Sequence, residues 1–189
     1  MTRTFLALEL PDAVKNTLRR QIERLGRAIP EIHWVNPDSL HLTLAFLGEI
    51  DDAQLMAASE SAAATVRANA PFTLRLDGLG TFGSAQAPRV VWVGLAGDKT
   101  RLMQVQATVA DELAARGFPR EQRPFAPHLT LARIKRPLSD AALTTLARVQ
   151  REPPPKMTWQ ADAISVMKSE LLRPSARYTA LSHWPLCLP

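Results

Sequence analysis

The sequence predicts an α+β protein, bilobal, with two antiparallel sheets related by pseudo-two-fold symmetry, helices on their outer faces and a central cleft. Three observations predict it. The pentamer HLTLA occurs twice, as residues 41–45 and 128–132, with His128 standing 87 positions after His41. Each copy lies in a segment that alternates polar and apolar residues, as a half-buried strand does. Each copy is also preceded and followed by helical periodicity, so the order strand, helix, strand, helix, strand reads as one unit written twice. Residues 1–189 then form a single domain of two interleaved lobes, each contributing one HLTL strand.

The elements follow in order. RTFLALEL at 3–10 is a short strand, and Pro11-Asp12 starts a helix whose apolar side is Val14, Leu18, Ile22, Leu25 and Ile29, at steps of four and three. Pro30 ends it. After a turn at Asn36-Pro37-Asp38, strict alternation in SLHLTLAFLG puts His41, Thr43 and Ala45 on one face and Leu40, Leu42, Leu44 and Phe46 on the other. A helix over 51–68 opens at Asp51 or Asp52 and is lined by Leu55, Ser59, Ala62, Ala63 and Val66. Two strands come next, FTLRLDGL from Phe72 and RVVWVGL from Arg89, joined by the connection GTFGSAQAP.

A third helix over 99–116 carries Leu102, Val105, Val109 and Leu113 on one side, with Gly117 just past its end. FAPHLTLARI is the following strand. A shorter helix from Ser139 to Val149 bears Leu143, Leu146 and Val149, and Pro153-Pro154-Pro155 makes a stiff connection. The tail supplies two strands, TWQADAISVMKSEL at 158–171 and RYTALSHW at 177–184, with the Tyr178 region as an outer strand.

Composition bounds the class. With 46% hydrophobic and 22% charged residues the chain is ordinary globular protein, and every apolar run is broken well before the length of a membrane span. MTRTFLALELPD has no long apolar stretch followed by a cleavage site, so a cytoplasmic location is expected. The lone Cys187 agrees, since it cannot form an internal disulfide. A formal charge of +5 permits an anionic partner such as RNA without demanding one. No long heptad pattern signals an oligomer, and a monomer is expected.

The chemistry lies in the doubled H-x-T. Positions i and i+2 of a strand point the same way, about 6–7 Å apart, so each copy presents an imidazole beside a hydroxyl. Two copies facing each other give two imidazoles and two hydroxyls around a space that suits a tetrahedral phosphate. One neutral imidazole takes a proton from an attacking water while the other, protonated, gives one to the leaving oxygen. The hydroxyls of Thr43 and Thr130 donate to oxygens on which charge builds. A duplicated structural strand would carry the same pattern, with His and Thr on an open face and no chemistry. Clustered metal ligands, GxxxxGK[ST] and GxSxG are all missing, so the chemistry expected is free of metal and of a covalent nucleophile.

HLTLAFLG at 41–48 and PHLTLARI at 127–134 resemble the paired HxTx signatures of the 2H phosphoesterase superfamily. The likeness is nearest to its bacterial and archaeal RNA 2',3'-cyclic phosphodiesterases, also called 2'-5' RNA ligases. RTFLALELP, RVVWVGL and SELLRPSARYTAL extend it over nearly the whole chain. The resemblance implies a bilobal fold with its site between the lobes, opening of a terminal 2',3'-cyclic phosphate of RNA to a 2'-phosphomonoester, and reversible 2'-5' joining of tRNA-type fragments. It implies His41 as general acid toward the 3' oxygen, His128 as general base toward water, and Thr43 and Thr130 as phosphate holders. No metal or nucleotide cofactor and no obligate protein partner is implied.

Two further positions carry over from the resemblance, Phe46 for stacking on the terminal base and Arg133 for phosphate. Each stands five residues after its histidine, and five is odd. Strict alternation turns both side chains away, so their use requires a bulge, a bend or a frayed strand end. Rival expectations are a 2H phosphodiesterase acting on a small cyclic nucleotide or an RNA 3' end, and a non-enzymatic RNA-end-binding protein.

Overall fold

In the computed structural model, residues 1–171 and 176–187 are described. The elements are β1 (Thr2–Glu9), α1 (Asp12–Ala28), β2 (His41–Ile50), α2 (Asp52–Arg67), β3 (Phe72–Gly83), β4 (Pro88–Gly97), α3 (Lys99–Ala115), β5 (His128–Arg133), α4 (Asp140–Val149), β6 (Thr158–Ala161), β7 (Ala163–Leu171) and β8 (Ala176–Pro185). A single 3₁₀ turn, Pro37–Ser39, precedes β2. Of the family-like stretch SELLRPSARYTAL, residues 172–175 lie outside the described set.

Two four-stranded sheets form, ordered β2-β1-β7-β8 and β5-β4-β3-β6, and every strand pair in them is antiparallel. The HLTL strands β2 and β5 hold the same place, each an edge strand paired with the strand that precedes it in its unit. The first sheet takes strands from both chain ends and the second takes the middle. The strand after α2 joins the second sheet, and β7, arriving after α4, returns to pair with β1.

Apolar periodicity explains the helices. In α1, Val14, Leu18, Ile22 and Leu25 are buried, as the spacing predicts. Pro11 gives that helix no side-chain cap, a loss of about 1 kcal/mol that four buried side chains at roughly 1.5–3 kcal/mol each outweigh. Helix α2 starts instead with a complete capping box: Asp51 accepts from the Gln54 backbone N–H at 2.8 Å, and Gln54 accepts from the Asp51 N–H at 3.1 Å. Its buried stripe is Ala58, Ser61, Ala62, Ala63, Thr65 and Val66, with Ser59 only half-buried. These small residues suit the close packing of α2 against α3, β7 and β8. Among the described residues no helix is long and apolar enough to cross a membrane.

Two segmentations differ from the sequence reading. The stretch GTFGSAQAP is largely strand, because β3 runs on to Gly83 and only residues 84–87 turn back into β4. Gly80 makes this extension fit: a Cβ there would lie 2.2 Å from the ring of Trp92, its cross-strand partner. TWQADAISVMKSEL is two strands rather than one, broken at Asp162, with β6 pairing to β3 in one sheet and β7 to β1 in the other.

The two faces of the first sheet have different work. Leu6, Leu8, Leu42, Leu44, Ile164 and Val166 join the main core with the helices. On the opposite face Phe5, Ala7 and Met167 form a small separate cluster against Tyr178. That second face carries His41.

Candidate active site

The segment leading into β2 delivers His41. The Asn36 side chain accepts from the Asp38 N–H at 3.1 Å and caps the 3₁₀ turn, which ends one residue short of the strand. His41 Nδ1 lies 2.8 Å from the Ser39 carbonyl, and His128 Nδ1 lies 2.7 Å from the Ala126 carbonyl. A carbonyl only accepts, so each Nδ1 carries the hydrogen and each Nε2 is the free nitrogen. The arrangement is the same in both copies, two residues back in each case.

One cleft of about 480 Å³ is lined by His41, Thr43, His128, Thr130, Arg133 and Tyr178 among others. The sequence-expected pairs therefore meet, and both histidines are only partly exposed. His41 stacks on Phe5 with ring centroids 4.5 Å apart and meets the edge of Tyr178 at 4.9 Å. The small Ala7, fully buried between them on the same face, leaves room for the Phe5 and His41 rings to meet. His128 meets Phe82 edge-on at 4.8 Å and lies 6.5 Å from Trp92.

Phe46 and Arg133 do turn toward the motif face, contrary to strict alternation. In β2, Ala7 pairs with Thr43 but Leu6 pairs with Ala45, leaving Leu44 as an extra residue. In β5, Trp92 pairs with Thr130 but Val91 pairs with Ala132, leaving Leu131 extra. Each bulge resets the parity. Phe46 then pairs with Phe5, on the His41 face, and Ala45 pairs with Leu6 on the core face, so the sequence-based faces of Ala45 and Phe46 exchange. Phe46 is 56% exposed, with the Arg3 guanidinium 4.6 Å from the ring centroid on one side. It lines an open groove of about 1320 Å³ that also touches His128, Thr43, Phe82, Phe125 and Arg123.

Burial pushes the His41 pKa below the ordinary histidine value, and the charges of Lys15 and Arg133 act the same way. The hydrogen bond to Ser39 and the negative charge of Glu9 oppose that shift. An anionic phosphate entering the cleft adds to the opposing side.

Sequence reading missed several residues here. Tyr178 was expected only as part of an outer strand, and β8 is one, but its ring also lines the cleft. Phe5, Phe82 and Trp92 come from strands with no motif, and only pairing brings them to the histidines. Of the basic and aromatic residues near the motifs, Arg123 borders the groove and Trp34 bridges to Ala132.

A sequence profile of the 2'-5' RNA ligase superfamily matches residues 10–172. A Geobacillus stearothermophilus protein named RNA 2',3'-cyclic phosphodiesterase is 36% identical over 129 residues, which is 68% of this chain and 41% of that one. The Escherichia coli protein of the same name is 33% identical over 199 aligned positions, covering 97% of this chain and 96% of its own. The crystal structure of E. coli LigT complexed with 3'-AMP matches with a TM-score of 0.80 and 29% identity, covering 99% of each chain. Profile, relatives and fold agree, and the chain belongs to the 2'-5' RNA ligase superfamily.

Proposed function

We propose that this chain is an RNA 2',3'-cyclic phosphodiesterase that opens the cyclic end to a 2'-phosphomonoester by proton transfer between two histidines. The observation that carries this reading is the pair of Nε2 atoms left free on one cleft, each ring fixed through its Nδ1. Water attacks phosphorus, and its proton goes to His128 Nε2 as the new P–O bond forms. The bond from phosphorus to the 3' oxygen breaks, and that oxygen takes the proton of His41 Nε2–H. Each transfer contributes ~10²–10⁴ in rate. Thr43 and Thr130 hydroxyls and the Arg133 guanidinium hold the non-bridging oxygens.

Phe46 stacks on the terminal base, its ring supported from one side by Arg3. The open groove beyond it, with Phe82, Phe125 and Arg123, supports an RNA end over a small cyclic nucleotide. With a ribose 5' hydroxyl in place of water, the same transfers give a 2'-5' linkage, which suits cleaved tRNA fragments as substrates. We place the enzyme in the cytoplasm as a monomer that needs no metal.

Product identity tests this. RNA fragments with 2',3'-cyclic ends are incubated with the protein and the position of the monoester is determined. A 2' monoester, formed at the same rate with a chelator present, is expected. A 3' monoester would overturn the leaving oxygen and with it the role given to His41.

A further inference from the structure

The two motif histidines are related by the pseudo-two-fold, yet the proposed reaction needs them in opposite protonation states. Something must break the symmetry. Their cross-strand partners do: His41 of β2 pairs with Glu9 of β1, whereas His128 of β5 pairs with Gly94 of β4. Directly opposed residues on one face of an antiparallel pair have Cβ atoms about 4.5–5.5 Å apart. At the directly opposed position one imidazole thus has a carboxylate and the other a glycine.

Glu9 is also held in place. The Ser165 hydroxyl donates to Glu9 Oε1, since a carboxylate only accepts. Ser165 Oγ in turn accepts from Nδ1–H of His183, 3.0 Å away, and that nitrogen lies 3.5 Å from Glu9 Oε1. Ser165 is fully buried, so it is no nucleophile. Three strands, β1, β7 and β8, therefore combine to fix one carboxylate.

We propose that Glu9, anchored by Ser165 and His183, is the positioning residue that makes His41, rather than His128, the proton donor of the cleft. The inference rests on the reaction proposed above. The charged and titratable groups facing His41 are Glu9 from β1, Lys15 from α1, Arg133 and His128 from β5, and Tyr178 from β8, with His183 behind Glu9. Of these Glu9 is the one carboxylate, and with the Ser39 hydrogen bond it opposes, without overcoming, the burial and the charges of Lys15 and Arg133 that disfavour the imidazolium. On the other copy, Asp77 stands beside Gly94 and lines a pocket with His128, but Lys99 lines the same pocket and sets an opposite charge against that carboxylate.

The test reads the histidines directly, without turnover. Side-chain NMR titration follows His41 and His128 in the wild type and in Glu9→Gln, Glu9→Asp and Ser165→Ala. The His41 midpoint is expected to fall by roughly half a unit or more in Glu9→Gln. Glu9→Asp should restore most of it, Ser165→Ala should show part of the fall, and the His128 signal should respond far less. kcat/KM at pH 7 should drop severalfold in Glu9→Gln, because fewer molecules carry the proton on His41. An unmoved His41 midpoint, or equal movement of both rings, overturns the inference. Should Glu9→Gln fail to fold, Ser165→Ala decides by the same criterion. If the midpoint shifts while His41→Ala keeps full activity, the reaction is wrong and the role of Glu9 as a neighbour stands. If His41→Ala is inactive and the midpoint is unmoved, Glu9 alone is wrong.

Discussion

Leu44 and Leu131 occupy the same place in the two halves of the molecule: each is the extra residue of a β-bulge three positions after its histidine. Their carbonyls are both taken up from outside the sheet. Leu131 O accepts from the Val35 N–H at 2.8 Å, and Leu44 O is approached by Gln106 Nε2 of α3 at 3.5 Å. The bulges turn Phe46 and Arg133 back onto the face of the histidines, so each five-residue offset becomes a usable one.

Phe46 should act on binding. Phe46→Ala is expected to raise KM for an RNA end by about fivefold to a hundredfold, the worth of one stacked base, with kcat largely retained. Phe46→Trp should keep most of the affinity. Steady-state kinetics on a cyclic-ended dinucleotide and on a longer fragment would check this, and an unchanged KM in Phe46→Ala would remove the base from that ring. Arg3→Met, which strips the cation from the far side of the ring, should cost only a few-fold.

The threonines should act on the chemical step. Thr43→Val and Thr130→Val keep the shape but remove the hydroxyl, and each should lower kcat by about a hundredfold with little change in KM. Single-turnover rates separate this from product release. Retained kcat with a raised KM would make the hydroxyls ground-state binders instead.

Stability should depend on pH through His41. Burial lowers its folded-state pKa below the unfolded value, so between the two the unfolded chain carries a proton that the folded protein does not. Stability therefore rises with pH through this window: the contribution is complete above the unfolded value of about 6.5 and is lost as pH falls through the folded one. Thermal melts of the wild type and His41→Gln from pH 8 to pH 5 should show the larger acid-side fall in the wild type. Parallel curves would contradict it.

Gly80 and Trp92 should be energetically coupled. A methyl group at 80 would collide with the indole 2.2 Å away, so Gly80→Ala should destabilise the protein by roughly 1–3 kcal/mol. Combined with Trp92→Leu, the added cost of the alanine should largely disappear. Denaturant unfolding of the four proteins gives the coupling.

The legible part of this protein was what repeats locally. The alternation of HLTL and the four-and-three spacing of Val14, Leu18, Ile22 and Leu25 are set by strand and helix geometry within a few residues, and burial follows them. The face of Phe46 was not legible, because a bulge is a property of two strands in register and nothing in AFLG announces it. Phe5, Glu9 and Tyr178 were missed for a related reason: only strand pairing sets them around His41, Phe5 and Glu9 through the direct pairing of β1 with β2, and Tyr178 because β8 reaches β1 through β7. The break at Asp162 sends adjacent strands to different sheets, a tertiary choice that local polarity does not encode.

Turnover of an RNA 2',3'-cyclic end by His41→Ala, His128→Ala and the double variant tests the shared-phosphate mechanism most directly. Each single replacement should lower kcat/KM by roughly two orders of magnitude or more. The double should be little worse than the weaker single, because the two rings act as one unit. Wild-type turnover in either single variant would contradict it.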